Sequence, residues 1–142
     1  MSKTIICMYA PANCGKTQTI RHLFIKLGGK RKVFNGKRDF GAEINFGNKK
    51  IGFASEGDPG SNQRTDLEQL AQNKCDIIVT ASRTKGGTVD NIGDIAQKYK
   101  YRVIWISPFY FYDAKQTTKK QCQYFAERNA DNIAMYIIDK LI

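Results

Sequence analysis

The first 27 residues constrain the fold of this chain more than any other stretch. Residues 4–10 are a run of apolar, strand-forming residues, which is typical of a β-strand buried on both faces. Residues 17–27 follow a helical period instead, and Gly28 and Gly29 end the pattern. The apolar stripe of this predicted helix consists of Ile20, Leu23, Phe24 and Leu27. The chain therefore starts with a strand, a short loop and a helix, the repeating unit of α/β proteins.

The loop between this strand and helix has a pattern of its own. Its sequence fits Gly or Ala, then four residues of any kind, then Gly, Lys and Ser or Thr. A tight loop that enters a helix N-terminus points main-chain N–H groups inward, and these groups and the helix dipole attract phosphate. We predict that the nucleotide-binding residues are Pro11, Ala12, Asn13, Cys14, Gly15, Lys16 and Thr17.

Within this loop the last three residues have distinct expected roles. Gly15 leaves room for the main chain to approach a phosphate, because it has no Cβ atom. Lys16 would place a point charge on the β- and γ-phosphates, and the hydroxyl of Thr17 would bind Mg²⁺.

On the motif Ala10-Pro-Ala-Asn-Cys-Gly-Lys-Thr17 the chain resembles the P-loop (Walker A) superfamily of nucleoside-triphosphate-binding proteins. The resemblance implies nucleotide and Mg²⁺ binding. The specific part of the resemblance covers eight residues. The order of strands and helices matches the superfamily more loosely over most of the chain. No Asn-Lys-x-Asp motif for guanine occurs in the sequence, so ATP is the default nucleotide by resemblance.

A Mg²⁺ ion at such a site also needs a carboxylate at the end of a neighbouring strand. The predicted strand 49–55 leads into Glu56 and Asp58. We predict that Asp58 binds the metal and that Glu56 orients or deprotonates an attacking water; the alternative is that both are ordinary turn caps. Asp76 begins a predicted strand, so it would lie at the wrong edge of the sheet.

A cation is expected near the γ-phosphate as well. Arg83 follows the apolar strand 75–81, where it could meet the γ-phosphate or an anionic acceptor. The alternative is a solvent-facing arginine in a turn. Together with the P-loop lysine and the two acids, Arg83 completes the predicted catalytic set of Lys16, Asp58, Glu56 and Arg83.

The remaining pattern predicts an α/β fold in one domain, residues 1–142. We expect a three-layer sandwich with a largely parallel central sheet of the P-loop NTPase type and an antiparallel hairpin strand at one side. The hairpin turns at Gly47-Asn48, with Ile44 opposite Ile51 and Ala42 opposite Phe53. Further predicted elements are a short strand at 31–34, helices at 62–73, 89–99 and 117–142, and buried strands at 75–81 and 102–107. The apolar face of the last helix is predicted from residues that recur at helical spacing, Cys122, Phe125, Ala126, Ile133, Ile137 and Leu141.

The charge of the chain is unevenly distributed along it. The formal net charge is +10, from 23 Lys and Arg against 13 Asp and Glu. Residues 1–50 contain 11 basic and 2 acidic residues, a balance of +9. We therefore expect a nucleic acid or an anionic substrate to bind through basic residues 21–50, although a solvated basic face has the same composition.

The composition argues against two further possibilities, a zinc site and a membrane-spanning protein. The four cysteines include no C-x-x-C pair, which argues against a zinc site. No apolar run is long enough to span a bilayer, and we expect a cytoplasmic protein with reduced thiols and no membrane partner. The oligomeric state stays open.

Two functions follow from these patterns. The first is a small ATPase or kinase that binds ATP or another nucleoside triphosphate with Mg²⁺ and transfers its γ-phosphoryl group to water or a small acceptor. The alternative is a nucleotide-dependent switch that binds nucleic acid or another partner through the basic N-terminal third. A P-loop domain kept as a scaffold is a weaker third alternative.

Overall fold

A computed structural model describes residues 3–9, 15–34, 40–55, 62–83, 87–108 and 119–142. In this part of the chain five strands and four α-helices follow one another. They are β1 (Lys3–Tyr9), α1 (Lys16–Lys26), β2 (Gly41–Phe46), β3 (Lys49–Ala54), α2 (Gln63–Gln72), β4 (Ile77–Ser82), α3 (Gly87–Tyr99), β5 (Tyr101–Ile106) and α4 (Lys119–Tyr136). A short 3-10 helix, Arg31–Val33, follows α1, and a π-helical turn, Ile137–Leu141, extends α4.

The strands form one mixed sheet in the order β2-β3-β4-β1-β5. β1 pairs in parallel with β4 and β5, and β3 pairs in parallel with β4. Only the hairpin β2–β3 is antiparallel among the described pairs. The predicted α/β class, with a largely parallel sheet and a hairpin strand at one side, is confirmed. Because parallel strands end at the same edge, the segments that follow β1, β3, β4 and β5 all leave from the carboxyl edge of the sheet.

Helices cover both faces of this sheet. In β1, Ile5 and Cys7 face one core and Ile6 and Met8 face the other, and all four are fully buried. The first core packs against α2 and α3, and the second packs against α1 and α4. The strand that precedes the phosphate-loop motif is thus covered on both sides, as its apolar sequence predicts.

Four phenylalanines hold α1 against the hairpin side of the sheet. The ring centroid of Phe24 lies 6.1 Å from that of Phe34, 5.4 Å from that of Phe40 and 5.2 Å from that of Phe53. Gly29 approaches the ring of Phe24 so closely that a Cβ atom would lie 2.4 Å from it. A larger side chain at this position would therefore have to displace the Phe24 ring.

Two sequence-based predictions of strands are corrected by the structure. Residues 31–34 do not form a strand, because the N–H groups of Val33 and Phe34 donate to the carbonyls of Lys30 and Arg31, the local bonds of a 3-10 helix. The strand predicted at 102–107 exists as β5, but it is half-exposed rather than buried. It pairs only with β1 among the described strands, and the side chain of Trp105 is 46% exposed.

The closing helix is confirmed with one correction. Ala126, Ile133 and Ile137 are buried on the predicted apolar face. Cys122, which the spacing assigns to the same face, is exposed. It lies in the first turns of α4, before the buried contacts with the rest of the core begin at Ala126.

Candidate functional site

The predicted phosphate loop follows the end of a central strand. β1 ends at Tyr9, whose partner in β4 is Ser82, so these two neighbouring strands end side by side. α1 begins at Lys16. The loop residues Pro11, Ala12, Asn13 and Cys14 lie outside the described residues, but both flanks of the loop are as predicted, with a buried strand before it and an amphipathic helix after it.

Gly15 adopts a backbone conformation that favours glycine. Its φ of 78° is left-handed, and the residue occupies the N-cap position of α1. No described atom lies within 4 Å of a Cβ built at Gly15, so the constraint is the backbone and not crowding. The main-chain N–H and the hydroxyl of Thr19 both donate to the Gly15 carbonyl, at 2.9 and 2.8 Å. The first turn of α1 is therefore closed by two hydrogen bonds to its N-terminal glycine.

Lys16 points across the carboxyl edge of the sheet. Its side chain is buried, with a residue exposure of 8%, and its Nζ donates to the carbonyl oxygen of Ser82 at 3.0 Å. A buried ammonium is costly without hydrogen-bond acceptors, and this carbonyl supplies one. The contact joins the start of α1 to the end of β4. The predicted phosphate-binding lysine thus lies at the strand end from which Arg83 continues.

The other predicted site residues are only partly described. Thr17 and Arg83 are both half-buried, the first in the first turn of α1 and the second directly after Ser82. The predicted acids Glu56 and Asp58 lie outside the part of the chain that the structure describes. Their roles therefore stay predictions.

The segment that contains these acids has well-fixed flanks. Ser55 is buried, its hydroxyl accepts the N–H of Phe40 at 2.7 Å, and its own N–H donates to the Phe40 carbonyl at 3.0 Å. α2 begins at Gln63 on the other flank. Asp76 is confirmed at the opposite, amino edge, where its carboxylate accepts the N–H of Lys50 at 2.9 Å.

Gln63 is a residue of this edge that the sequence reasoning missed. It is fully buried, and its amide nitrogen donates to the carbonyl of Ala81 and to the hydroxyl oxygen of Thr80. The Thr80 hydroxyl in turn donates to the carbonyl of Ala54 at 2.9 Å. This polar network joins the ends of β3 and β4 to the first turn of α2. Helical spacing contains the signal, since Gln63 lies four residues before Leu67 on the buried stripe of α2.

Replacement of Gln63 by leucine is expected to destabilise the fold. The variant removes the donor to the Ala81 carbonyl at a fully buried position, which costs about 1–3 kcal/mol of unfolding free energy. Urea denaturation measures the change. The control is Gln72→Leu, an exposed glutamine at the other end of α2, which we expect to change the unfolding free energy by less than about 0.5 kcal/mol. Equal effects of the two variants would contradict a structural role for the network.

The thiol of Cys7 lies beneath the same edge. Burial raises its pKa to about 12, while a hydrogen bond with Ser82 and the charge of Lys16 act in the opposite direction. The thiol is therefore protonated at neutral pH. Cys7, Cys75 and Cys122 are free thiols, as predicted.

Two cavities lined by described residues lie elsewhere. One of about 220 Å³ lies between the hairpin and α2, beside Glu43, Phe53 and Asp66. The other, of about 320 Å³, lies at the amino edge beside Lys49 and Asp76.

Other features of the described part bear on the remaining predictions. It contains no group of three or more His, Cys, Asp or Glu side chains arranged to hold a metal ion. None of its helices combines the length and the apolar character that a bilayer-spanning helix needs. Comparison with protein-family models, with curated proteins and with solved structures returns no match to this chain.

Proposed function

We propose that this protein binds a nucleoside triphosphate, ATP by default, at the carboxyl edge of its sheet. It would act with Mg²⁺ as a small ATPase or kinase of the P-loop type, and it would transfer the γ-phosphoryl group to water or a small acceptor. The single observation that carries the proposal is the position of Lys16, which begins α1 and reaches the end of β4.

The start of α1 has the properties that a phosphate needs. A helix N-terminus carries a partial positive charge, and its first N–H groups point outward along the axis. The left-handed φ of 78° at Gly15 suits a tight loop whose main chain approaches a phosphate. No acidic residue lies in the first turn of α1, so no carboxylate there repels an anion.

Lys16 is already close to where its proposed partner would bind. One of its acceptors is the neutral carbonyl of Ser82, whereas a phosphate oxygen is charged and forms a stronger hydrogen bond than a carbonyl does. We infer that a triphosphate draws the Lys16 ammonium from Ser82 toward the β- and γ-phosphate oxygens. Burial strengthens that attraction, because the lysine is largely screened from water.

The other predicted residues complete the proposal. The Thr17 hydroxyl and the Asp58 carboxylate would hold Mg²⁺, which neutralises phosphate charge when it is bound. Glu56 would orient or deprotonate the nucleophile, and Arg83 would contact the γ-phosphate from the end of β4. Oxygen donors of this kind suit Mg²⁺, so the residues present fit the ion.

Calorimetric titration with ATP, in Mg²⁺ and then in EDTA, tests the proposal. We expect saturable binding of one ATP per chain that is tighter in Mg²⁺ than in EDTA. GTP in a parallel titration tests the base preference. Phosphate release from bound ATP without any added acceptor would identify water as the nucleophile. Absence of binding to both nucleotides at millimolar concentration would overturn the proposal.

A further inference from the structure

The basic excess of the sequence is concentrated in one helical layer. Residues 16–34, which pack on the α1/α4 side of the sheet, contain six cations and no acid. These cations are Lys16, Arg21, Lys26, Lys30, Arg31 and Lys32. On the other side, α2 and α3 contain two cations and four acids, Arg64, Lys98, Asp66, Glu68, Asp90 and Asp94. Residues 16–34 therefore carry a net positive charge, whereas the helices α2 and α3 carry a net negative charge.

The cations of the α2/α3 layer are neutralised by ion pairs. Arg64 contacts Asp94 at 2.9 Å and Lys98 contacts Glu68 at 2.7 Å, in both cases between the two helices. By contrast Lys30, Arg31 and Lys32 are exposed, and they make no ion pair within the described part of the chain. We call residues 30–32 the basic turn.

The structure narrows the basic surface predicted at residues 21–50. Lys49 is buried, and Nζ of Lys50 donates to the carbonyl of Asn73 at 3.1 Å. The guanidinium of Arg21 lies over the ring of Phe34, 5.3 Å from its centroid. Lys26 is paired with Asp131 of α4. Lys37 and Arg38 lie outside the described residues, so the basic turn is the exposed, unneutralised part that the structure defines.

The basic turn is held in place by the core. In its 3-10 helix, the N–H of Val33 donates to the Lys30 carbonyl at 3.0 Å, and the N–H of Phe34 donates to the Arg31 carbonyl at 3.2 Å. Phe34 is only 6% exposed and packs edge-on against Phe24. Three cations are thus presented from an anchored backbone, which reduces the entropy lost when they bind a partner.

We propose that the basic turn is a docking site for the phosphate backbone of a nucleic acid. Lys and Arg are the side chains that contact backbone phosphates, and such contacts need no particular base sequence. An anionic membrane surface is the main competing partner, and it favours bulky apolar side chains among the cations. Here Leu27 and Phe34, which flank the turn, are buried, and the exposed Met135 and Ile138 belong to α4 and its extension.

This site is separate from the candidate nucleotide site. Lys16 and Lys26 are ten residues apart on α1, which corresponds to about 15 Å along the helix axis. The basic turn follows the far end of the helix. Docking of a polyanion there does not depend on nucleotide binding, so failure of one proposal leaves the other intact.

The test compares two triple variants that remove the same charge. The first changes Lys30, Arg31 and Lys32 to glutamine. The control changes Arg102, Lys120 and Lys140 to glutamine, all exposed positions in β5, α4 and its extension. Binding to labelled duplex DNA, duplex RNA and single-stranded DNA is followed by fluorescence anisotropy over a range of salt concentrations.

We expect the wild type to bind duplex DNA with strong salt dependence. Loss of three phosphate contacts lowers the slope of log K against log salt by about 2.7, at ~0.9 per contact. The control triple should keep most of the slope. An equal decrease of the slope in both triple variants would indicate a long-range effect of charge and would overturn the proposed docking site.

Two other outcomes would also overturn it. One is tight binding to phosphatidylserine vesicles with no binding to any of the three nucleic acids, which would assign the surface to a membrane. The other is absence of binding to any of these polyanions at low salt. Preference among the three nucleic acids supports the proposal and identifies its natural form.

Discussion

Replacement of Lys16 by alanine is expected to weaken Mg-ATP binding by roughly 100-fold or more while the domain stays folded. Hydrogen bonds to charged groups contribute about 1.5–3 kcal/mol each, and the lysine would bond two phosphates. Loss of about 3 kcal/mol corresponds to the stated factor. In the protein without nucleotide, the variant loses one bond to the Ser82 carbonyl, a cost of about 1 kcal/mol. Calorimetric titration measures the affinity, and circular dichroism checks the fold.

The matched control is Lys26→Ala in the same helix. Lys26 is exposed at the other end of α1, where it pairs with Asp131, and its loss should leave nucleotide affinity within about twofold. Lys16→Met retains the apolar stem and separates loss of charge from loss of packing. Unchanged affinity in both Lys16 variants, with folded protein, would contradict the proposed site.

Replacement of Phe24 by alanine is expected to lower the unfolding free energy by about 3–5 kcal/mol. Phe24 is 2% exposed, and its ring contacts those of Phe34, Phe40 and Phe53. Removal of the ring would leave a cavity between α1 and the hairpin side of the sheet. Urea denaturation followed by the circular dichroism signal measures the change.

The neighbouring Ile25→Ala variant is the control for this prediction. Ile25 lies on the same helix but is only partly buried, so we expect a loss of about 1 kcal/mol. A similar loss of unfolding free energy in both variants would contradict the arrangement of the four rings, because it would mean that Phe24 does not lie at the centre of this cluster.

The hairpin shows how far the sequence predicts this fold. The residues of β2 alternate between apolar and polar, and a two-residue turn at Gly47-Asn48 places Ile44 and Ala42 opposite apolar residues of β3. Ile44 opposite Ile51 follows from that pattern, and the structure has this pairing. Gly47 also has the positive φ of 61° that such a turn requires.

The two strand predictions that the structure corrects concern segments whose burial and conformation depend on their tertiary contacts. An apolar run such as that of β5 indicates a buried strand, but its place at the end of the strand order is set by which strands pair, and no local pattern contains that information. Residues 31–33 form a 3-10 helix, and Phe34, which follows it, packs against the rings of Phe24 and Phe40. Local propensity alone favours a strand there.

The residues of the candidate site that belong to the sequence motif could be predicted from the sequence. Gly15 and Lys16 are recognised from spacing alone, since phosphate binding needs those residue types in that order. Gln63 is different, because its acceptors at Thr80 and Ala81 are brought to it only by the packing of α2 on β4. A buried amide of this kind is visible in the sequence only as a polar residue on an apolar stripe.

The contact of the Lys16 ammonium with Ser82 is made to the main chain, and this has a consequence for mutational tolerance. Exchange of Ser82 for another small residue keeps the carbonyl, so the contact does not depend on the side chain at that position. It depends instead on the path of β4, which its pairing with β1 fixes. Substitutions elsewhere that shift the ends of β1 and β4 would displace the Ser82 carbonyl from the Lys16 ammonium. Replacement of Ser82 itself by another small residue would leave this contact in place.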